Sequence, residues 1–367
     1  MRAIVLVGGE GTRLRPLTYT TPKPLLPIAN QLFLERQLTW LDRHGIDEVV
    51  LSLGYLPDAF AARFPDERFG GLTLRYAVED EPLGTAGGIR YAAEVSGIDE
   101  RFVVCNGDVL TTLDLTAMVR FHDEHGGEAT IHLCRVDDPS AFGVVPTRSS
   151  GEVMAFVEKP PPGHVPSHWI NAGTYVLEPS MLDRVPARLT VSVERETFPR
   201  MLDRAGRLFA LQSDAYWIDI GTPEKYLQAH ADVLAGAFGA PPAPGAVETA
   251  PGVWQQGTGS IAADARVEPP VLLGPGARVA SGARVSQSVL GPGCSVEKGA
   301  SVVRSVMLEG ASAANEASAL DAVIGPRATL EDGAVAARGT MIGASTVVAA
   351  GSRLSGARVP VQVPTTR

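Results

Sequence analysis

A six-residue repetition of aliphatic side chains constrains the fold of this 367-residue chain more than any other feature. Glycine and other small residues follow many of the repeated positions, which is typical of a parallel β-helix with aliphatic side chains stacked inside and small residues at its corners. At three hexapeptides per coil, the stretch predicts about five coils. The alternative, a low-complexity tail, would not place large aliphatic residues so regularly. The repeated positions, with slips in the six-residue phase after Val285 and after Leu320, are Ile261, Val267, Leu273, Val279, Val285, then Leu290, Val296, Val302, Leu308 and Leu320, and finally Ile324, Leu330, Ala336, Ile342, Val348 and Leu354.

Residues 1–234 are organised differently, as short β-rich runs that alternate with helical stretches. This alternation predicts a layered α/β domain with a Rossmann-like, mostly parallel sheet. An Ala-, Gly- and Pro-rich segment at residues 235–258 is typical of a linker, and a β-helix domain is predicted at 259–360. Strands are predicted at 3–7, 48–53, 72–78, 101–105, 129–135, 153–157, 170–177 and 208–212, and helices at 33–44, 86–95, 115–125 and 223–234.

Composition and charge limit the partners of the chain. A hydrophobic content of 45% and a charged content of 20% are typical of a soluble globular protein. The net charge of −9 argues against a nucleic-acid or membrane surface, so contacts with phosphate should be local. The three cysteines fit no metal-binding spacing and predict buried thiols in a reducing compartment. No signal peptide fits before the first strand, so we expect a cytoplasmic protein.

The segment IVLVGGEGTRLRPLTYTTPKPLLPI, at residues 4–28, predicts a phosphate-binding loop. A β-rich run leads into Gly8, Gly9 and Gly11, and two cations, Arg13 and Lys23, follow. Glycines let the backbone approach a ligand closely, and successive N–H groups form an anion-binding concavity. The segment has neither a GK[ST] ending nor the G-x-G-x-x-G spacing, which excludes a P-loop and the dinucleotide fingerprint. A glycine-rich turn without a ligand is the alternative.

Two later acids, Asp108 and Asp219, are candidates for the site. Asp108, in FVVCNGDVL, stands at the carboxyl end of a buried strand, where ligands gather in open α/β sheets. The alternative role for Asp108 is to cap the next helix. Asp219, in YWIDIGTPEKY, could also be a helix cap, but Thr222 before Pro223 is the better cap for that helix.

With these motifs, the chain resembles the sugar-1-phosphate nucleotidyltransferases, and most of all the mannose-1-phosphate guanylyltransferase group that carries a C-terminal left-handed β-helix. The resemblance covers nearly the whole chain and rests on GGxGTRLRPLT…PKPL, followed in order by EKP and INAG. It implies that a sugar phosphate attacks the α-phosphorus of a nucleoside triphosphate and that pyrophosphate leaves. Because the attacking oxygen already belongs to a phosphate, such a site needs cations, metal and backbone donors rather than a protein base.

The resemblance also implies the residue roles. Arg13 would neutralise the transferred phosphate or the leaving pyrophosphate, Lys23 would reach the phosphates between the two substrates, and Asp108 and Asp219 would bind Mg²⁺, a hard ion that prefers oxygen ligands. Lys159 would hold the sugar phosphate. The nucleotide-binding set is Leu6, Gly8, Gly9, Gly11, Thr12, Arg13, Glu79, Gly84 and Thr85; the sugar-phosphate set is Gly143, Glu158, Lys159, Asn171 and Gly173; the catalytic set is Arg13, Lys23, Asp108, Lys159 and Asp219.

Glu79 bears on the choice of base, because relatives that transfer thymidylyl or uridylyl groups often carry Gln there. A carboxylate can accept from two neighbouring donors, and guanine offers its N1–H and 2-amino group side by side. This favours GTP, with mannose-1-phosphate as the sugar and GDP-mannose as the product; a merely solvated Glu79 is the alternative. Glucose-1-phosphate with dTTP or UTP, a heptose or cyclitol phosphate, and a non-catalytic regulatory subunit stay open as other interpretations.

The histidines bear on the function of the β-helix. Some relatives carry an acyltransferase there that depends on a histidine base, but none of the seven histidines of this chain lies beyond His230. We therefore expect a structural role, with contacts in a homo-oligomer or a regulatory function.

Overall fold

The computed structural model describes residues 1–161, 165–203 and 207–360, and the chain divides into two units. The first comprises Met1–Gly9 and Leu34–Ile218; the second comprises Glu10–Phe33 and Asp219–Arg367. The glycine-rich segment is therefore shared between them. The domain boundaries predicted at 234 and 258 stay a prediction. Among the residues that the structure describes, no helix is both long and apolar enough to cross a membrane.

A ten-stranded sheet forms the centre of the first unit. Its strands are β1 (Arg2–Leu6), β2 (Glu48–Leu53), β3 (Arg68–Phe69), β4 (Leu72–Val78), β5 (Phe102–Asn106), β6 (Ala129–Arg135), β7 (Gly143–Val144), β8 (Val157–Glu158), β9 (Trp169–Leu177) and β10 (Leu208–Ser213). The order is β8-β7-β9-β5-β1-β2-β4-β3, and β6 pairs with β9 and β10. The middle of the sheet is parallel, from β5 through β1 and β2 to β4, whereas β9 is antiparallel to β5 and β6. The nearly continuous apolar runs of β1 and β2 suit parallel strands that are covered on both faces.

The α-helices are α1 (Phe33–Arg43), α2 (Pro57–Arg63), α3 (Gly84–Ser96), α4 (Leu115–His125), α5 (Phe198–Asp203) and α6 (Pro223–Leu234). Two of the helices, α4 and α6, begin at a side-chain cap. The hydroxyl of Thr222 accepts from the N–H of Lys225, which confirms the predicted cap of α6. Short helical turns occupy Thr12–Leu14, Leu17–Tyr19, Lys23–Leu25, Pro179–Arg184 and, as a π-helix, Val193–Thr197; short strands occupy Pro27–Ile28, Gln31–Leu32, Val109–Thr111 and Trp217–Asp219.

The strand predicted at 153–157 is wrong. Only Val157–Glu158 forms a strand, while Val153 makes an isolated bridge to Thr147. The N–H of Arg148 donates to the carbonyl of Glu152, and the N–H of Met154 to that of Pro146, both at 2.9 Å, so residues 152–154 fold back on residues 146–148 as a small hairpin instead of a continuous strand to 157. The sequence pattern did not predict α2, which begins with proline in its first turn.

Parallel strands stacked coil upon coil form most of the second unit. Val285 pairs with Val302, and Val302 with Ala319, so each of these coils takes 17 residues. This confirms the predicted hexapeptide type of β-helix, while its left hand stays a prediction. The strands are Ala246–Ala250, Val253–Gln256, Ser260–Ile261, Arg266–Leu273, Arg278–Val279, Arg284–Leu290, Ser295–Val296, Ser301–Val303, Val306–Met307, Ser312–Ala313, Ser318–Leu320, Val323–Ile324, Thr329–Leu330, Val335–Ala337, Met341–Ile342, Val347–Val348, Arg353–Ser355 and Arg358–Val359. The segment predicted as a linker thus contains the first two of these strands.

The register predicted for the middle of the repeat is wrong by one residue. The inward positions there are Met307, Ala313 and Ala319, all fully buried, whereas Leu320 is only half-buried. A coil of 17 residues has two sides of six residues and one of five. A one-residue slip in the six-residue phase therefore recurs in each such coil. The sequence pattern did not predict the slip between Val302 and Met307. Ile261 was predicted inside but is 40% exposed, because its strand lies at the edge of its sheet.

Candidate active site

The loops after β1 and β5 meet at the carboxyl edge of the parallel strands, where the strand order reverses. The N–H of Gly107 donates to the carbonyl of Leu6 at 2.8 Å, and a Cβ on Gly107 would lie 2.5 Å from that oxygen. Gly107 must therefore be glycine, and it brings the turn that carries Asp108 beside the end of β1. Nothing lies within 4 Å of a Cβ built on Gly9, so that part of the loop is open to a ligand. Such a switch point is the usual ligand site of open α/β sheets.

Asn171 and Gly173 lie on β9, the neighbour of β5. Gly173 has a φ of +73°, and a Cβ on it would fall 2.5 Å from Nδ2 of Asn106. The Oδ1 of Asn171 accepts from the N–H of Gly173 at 3.0 Å, and its Nδ2 donates to the hydroxyl of Tyr175 at 2.8 Å. The predicted sugar residues on β9 are thus held beside the end of β5, which leads to Asp108.

A buried hydroxyl network extends from Asn171 and was missed by sequence reasoning. The Tyr175 hydroxyl donates to Oε1 of Glu194 at 3.4 Å, and the Thr85 hydroxyl donates to Oε2 of the same carboxylate at 2.8 Å. Burial raises the pKa of Tyr175 well above its ordinary value, with further contributions from the charges of Glu194 and Asp108. The phenol therefore stays protonated and acts as a donor. Thr85 and Glu194 are 109 positions apart, so no local pattern could signal this contact.

The first turn of α3 is fixed by close contacts with residues 191–193. Gly84 has a φ of +70°, and a Cβ on it would lie 2.7 Å from the carbonyl oxygen of Val191. The Thr85 hydroxyl accepts from the N–H of Val193 at 2.8 Å. The predicted nucleotide residues Gly84 and Thr85 therefore belong to a packed turn rather than to a free loop.

Glu79 is half-buried, and both of its carboxylate oxygens accept hydrogen bonds from the protein. The Ser52 hydroxyl donates to Oε1 at 2.8 Å, and the N–H of Leu83 donates to Oε2 at 2.9 Å. Glu79 therefore holds the turn that leads to α3, which the sequence did not predict. Each oxygen keeps a second lone pair, so recognition of the base by Glu79 stays a prediction.

Glu158, on the short strand β8, lies near two cations, Lys159 and Arg195. Lys159 Nζ and Arg195 Nη2 each lie 3.9 Å from Oε1 of Glu158. Gly143 pairs with Glu158 in the β7–β8 ladder, and a Cβ on Gly143 would lie 3.0 Å from Oε2 of Glu158. Lys159 has a φ of +50°, and its N–H donates to the carbonyl of Phe142 at 3.0 Å. The predicted sugar-phosphate residues are thus together, and Arg195 is a further cation that sequence reasoning missed.

In the second unit, Gly11 packs directly on Lys23. Gly11 has a φ of +61°, and a Cβ on it would lie 3.1 Å from Cβ of Lys23. The Thr18 hydroxyl donates to the carbonyl of Gly11 at 2.9 Å and fixes the turn. Lys23 is only 8% exposed. A lysine so strongly buried in a well-packed turn is pre-positioned rather than a solvated surface charge.

Arg13 and Asp219 meet over Gly221. A Cβ on Gly221 would lie 2.7 Å from Nη2 of Arg13 and 3.2 Å from Oδ2 of Asp219. The other carboxylate oxygen of Asp219 forms an ion pair with Nζ of Lys225, in the first turn of α6. Lys225 was not singled out from the sequence. The second unit therefore presents two cations beside the predicted metal ligand Asp219.

The residues predicted as a site fall into two sets, one in each unit. Among the described residues there is no group of three or more His, Cys, Asp or Glu side chains that could bind a metal. Mg²⁺ is commonly bound through one or two carboxylates plus substrate phosphates, so the chemistry of Asp108 and Asp219 fits Mg²⁺ only together with substrate. The first unit carries Leu6, Gly8, Gly9, Glu79, Gly84, Thr85, Asp108, Gly143, Glu158, Lys159, Asn171 and Gly173; the second carries Gly11, Thr12, Arg13, Lys23 and Asp219.

Two family models match the chain. Residues 2–236 match the nucleotidyl transferase model, and residues 267–343 match the model of the GlmU-like C-terminal hexapeptide.

Individual proteins of known name are similar to the chain as well. It is 40% identical over 296 residues to a mannose-1-phosphate guanylyltransferase of Mycobacterium tuberculosis, an alignment that covers 78% of this chain and 79% of the relative. It is 44% identical over 233 residues to a probable mannose-1-phosphate guanylyltransferase 2 of Oryza sativa subsp. japonica, covering 62% of this chain and 63% of that protein. The crystal structure of HddC from Yersinia pseudotuberculosis complexed with GMP-PN superposes with a TM-score of 0.54 at 30% identity, covering 62% of this chain and 97% of HddC.

Proposed function

The chain belongs to the nucleotidyl transferase family, and we propose that it joins GTP and mannose-1-phosphate to give GDP-mannose and pyrophosphate. The observation that carries the proposal is the 40% identity to a mannose-1-phosphate guanylyltransferase along 79% of that protein's length. The complex of HddC with GMP-PN, at 30% identity, supports a guanine nucleotide. The enzyme class agrees with the family predicted from the sequence motifs.

The reaction that we propose needs no protein base. An oxygen of the sugar phosphate attacks the α-phosphorus, the bond from that phosphorus to the bridging oxygen breaks, and pyrophosphate carries away the electron pair. The barrier comes from repulsion between two anions and from charge that develops at the phosphorus, so positioned cations are the main catalytic devices. Lys23 is buried, and Arg13 lies beside Gly221 as Asp219 does, which supports the roles proposed for these two cations at the phosphates.

Lys159 and Arg195 are the cations that we assign to the sugar phosphate. Both lie 3.9 Å from the same oxygen of Glu158, so the carboxylate holds them as a pair while the outer face of each stays exposed. Asn171 is fixed by two hydrogen bonds and still has one amide hydrogen and one lone pair for sugar hydroxyls. We propose that these residues orient the sugar phosphate for attack.

We propose Mg²⁺ as the metal and Asp108 and Asp219 as its protein ligands. The ion would supply neutralisation of phosphate charge when bound. The ion pair between Lys225 and Asp219 keeps that carboxylate in place without the metal. When the ion binds, Asp219 would exchange its contact with Lys225 for a contact with Mg²⁺. We expect Asp219→Asn to bind Mg²⁺ more weakly than the wild type in a Mg²⁺ titration.

The direct test is a matrix of pyrophosphate-release assays with Mg²⁺. GTP, ATP, CTP, UTP and dTTP are each paired with the 1-phosphates of mannose, glucose and a heptose. We expect the highest kcat/KM for GTP with mannose-1-phosphate. A higher kcat/KM for another sugar phosphate would contradict mannose-1-phosphate as the substrate, and a higher value for dTTP or UTP would contradict GTP. No turnover with any pair would refute the proposed enzymatic activity.

We also propose a homo-oligomer formed through the β-helix in a cytoplasmic protein. Cys105, Cys134 and Cys294 are buried, and no disulfide joins them within the described part of the chain, which supports a reducing compartment. Light scattering on the purified protein tests the proposed homo-oligomer, because a monomer at micromolar concentration would exclude it.

A further inference from the structure

A cleft of about 410 Å³ lies between α6 and one side of the β-helix, and none of the predicted site residues lines it. Its floor is apolar: Leu234 of α6 and Val289 and Val306 of the β-helix are all at least nine-tenths buried. Two buried polar groups, His230 and Ser305, also line it. The volume falls in the range of small-molecule sites, which are mostly apolar with a few fixed polar groups.

One corner of the β-helix supplies the rim of this cleft. Gln287, Arg304, Asp321 and Arg338 stand at equivalent positions of successive coils, and their φ angles are +48°, +44°, +50° and +53°. The left-handed region favours glycine, and any other residue there costs free energy. At the other two corners the same conformation is mostly taken by glycines, namely Gly276, Gly293, Gly310, Gly282, Gly299, Gly333 and Gly351. In these four coils the corner therefore keeps polar side chains at positions where glycine would be more stable, as strained functional positions often do.

The rim carries two guanidinium groups, of Arg304 and Arg338, and two carboxylates, of Glu224 and Asp321. Arg304 binds Asp321 through two hydrogen bonds of 2.6 and 2.7 Å, so these two form a neutral pair. Glu224 is held by hydrogen bonds from its own backbone and from Thr222, which lower its pKa. Within the part of the chain that the structure describes, the exposed guanidinium of Arg338 has no ion pair and no side-chain hydrogen bond. The cleft thus combines an apolar floor with one guanidinium group, that of Arg338, which forms no ion pair with the carboxylates of the rim.

We propose that this cleft binds an organic phosphate, whose phosphate group pairs with Arg338 and whose apolar body lies on the floor. A guanidinium fork matches a phosphate group geometrically, and Arg304, held still by Asp321, offers its remaining donors beside it. The same helix, α6, also carries Lys225, the ion-pair partner of Asp219. A ligand in the cleft therefore contacts the helix that holds a candidate catalytic residue.

The test is isothermal titration of the full chain with phenyl phosphate, a dianion with an apolar ring. We expect saturable binding that weakens about tenfold or more in Arg338→Gly. Glycine relieves the left-handed backbone, so this variant should unfold at an equal or higher temperature than the wild type. The matched control is Arg327→Gly, which removes another exposed arginine from a left-handed corner, with a φ of +54°, outside the cleft. Its affinity should equal that of the wild type.

Three results would overturn the proposal: no saturable binding up to about 10 mM, equal affinity in the wild type and Arg338→Gly, or an equal loss in Arg327→Gly. Inorganic phosphate and benzyl alcohol, each offering half of the probe, should bind more weakly than phenyl phosphate. Binding that is lost in Lys159→Gln but kept in Arg338→Gly would place the probe in the sugar-phosphate site and also overturn the proposal. None of these outcomes depends on which nucleotide or sugar the enzyme uses.

Discussion

At the scale of single residues, the most unusual environment belongs to His132. Its side chain is fully buried on β6, and within the described residues neither ring nitrogen has a hydrogen-bond partner. Burial lowers the pKa of His132 from 6.5 to about 4. The unfolded chain therefore binds a proton between these values while the folded chain does not. The contribution of neutral His132 to the free energy of unfolding is complete above pH 6.5 and is lost as the pH falls towards 4.

Replacing His132 with Leu should remove this pH dependence. From pH 7.5 to pH 5, the wild type should lose about 2 kcal/mol of unfolding free energy through this residue, and the variant should lose that much less. Urea unfolding at both pH values measures the difference. His122, whose pKa is also lowered by burial, is present in both proteins, so the comparison isolates His132. Identical pH slopes for the two proteins would contradict the assignment.

Glu79→Gln should shift the preference from GTP towards dTTP without loosening the turn before α3. Gln can keep both contacts, because its amide oxygen still accepts from the N–H of Leu83 and the Ser52 hydroxyl can rotate to accept from the amide group. The variant therefore changes the charge while preserving the shape. The ratio of kcat/KM for GTP to that for dTTP should fall about tenfold. A ratio equal to that of the wild type would leave Glu79 with its structural role alone.

Residues whose roles depend on the local backbone were predictable from the sequence, and residues whose roles depend on distant contacts were not. Gly11, Gly84 and Gly173 stand in short motifs, and each takes a positive φ against a close neighbour. Glu194 and Arg195 contact residues far away in the chain, at Thr85 and Glu158. No spacing in a single sequence brings such pairs together.

At the scale of elements, the β-helix depends on which side of each short strand faces inward. The six-residue period predicts the element but not the place of each slip, because five- and six-residue sides alternate according to corner geometry. Val303 pairs with Leu320, and both stand beside the inward pair Val302 and Ala319. A shift of one residue exchanges the inner and outer faces of a strand.

Two alanine substitutions test this register. Met307 is fully buried in the core of the β-helix, so Met307→Ala should lower the free energy of unfolding by about 2–5 kcal/mol. Leu320 is half-buried beside the core, so Leu320→Ala should cost less than about 1.5 kcal/mol. Thermal or urea unfolding gives both values. The opposite ranking would restore the register predicted from the sequence.

At the scale of the whole molecule, the fold class and the family were predictable, whereas the division into units was not. The family motifs are local, and both family models confirm what they indicate. The grouping of Glu10–Phe33 with the C-terminal unit depends on long-range contacts. The Tyr226 hydroxyl donates to the carbonyl of Pro27 at 2.6 Å, and Nδ2 of Asn30 donates to the carbonyl of Leu290 at 3.1 Å. These partners are about 200 or more positions apart, beyond the reach of any periodic pattern.

The proposed Mg²⁺ ligands come from different units of the chain, so variants of both test whether they bind the same ion. Asp108 belongs to the first unit and Asp219 to the second. If both carboxylates bind one ion, Asp108→Asn and Asp219→Asn should each lower kcat about 100-fold or more, and the double variant should be little worse than either. Circular dichroism should show unchanged folds. Asp99→Asn, at an aspartate whose side chain is 87% exposed, is the control and should keep wild-type kcat. Multiplicative losses in the double variant would mean that the two aspartates act independently, and near-normal turnover of either single variant would remove that residue from the site.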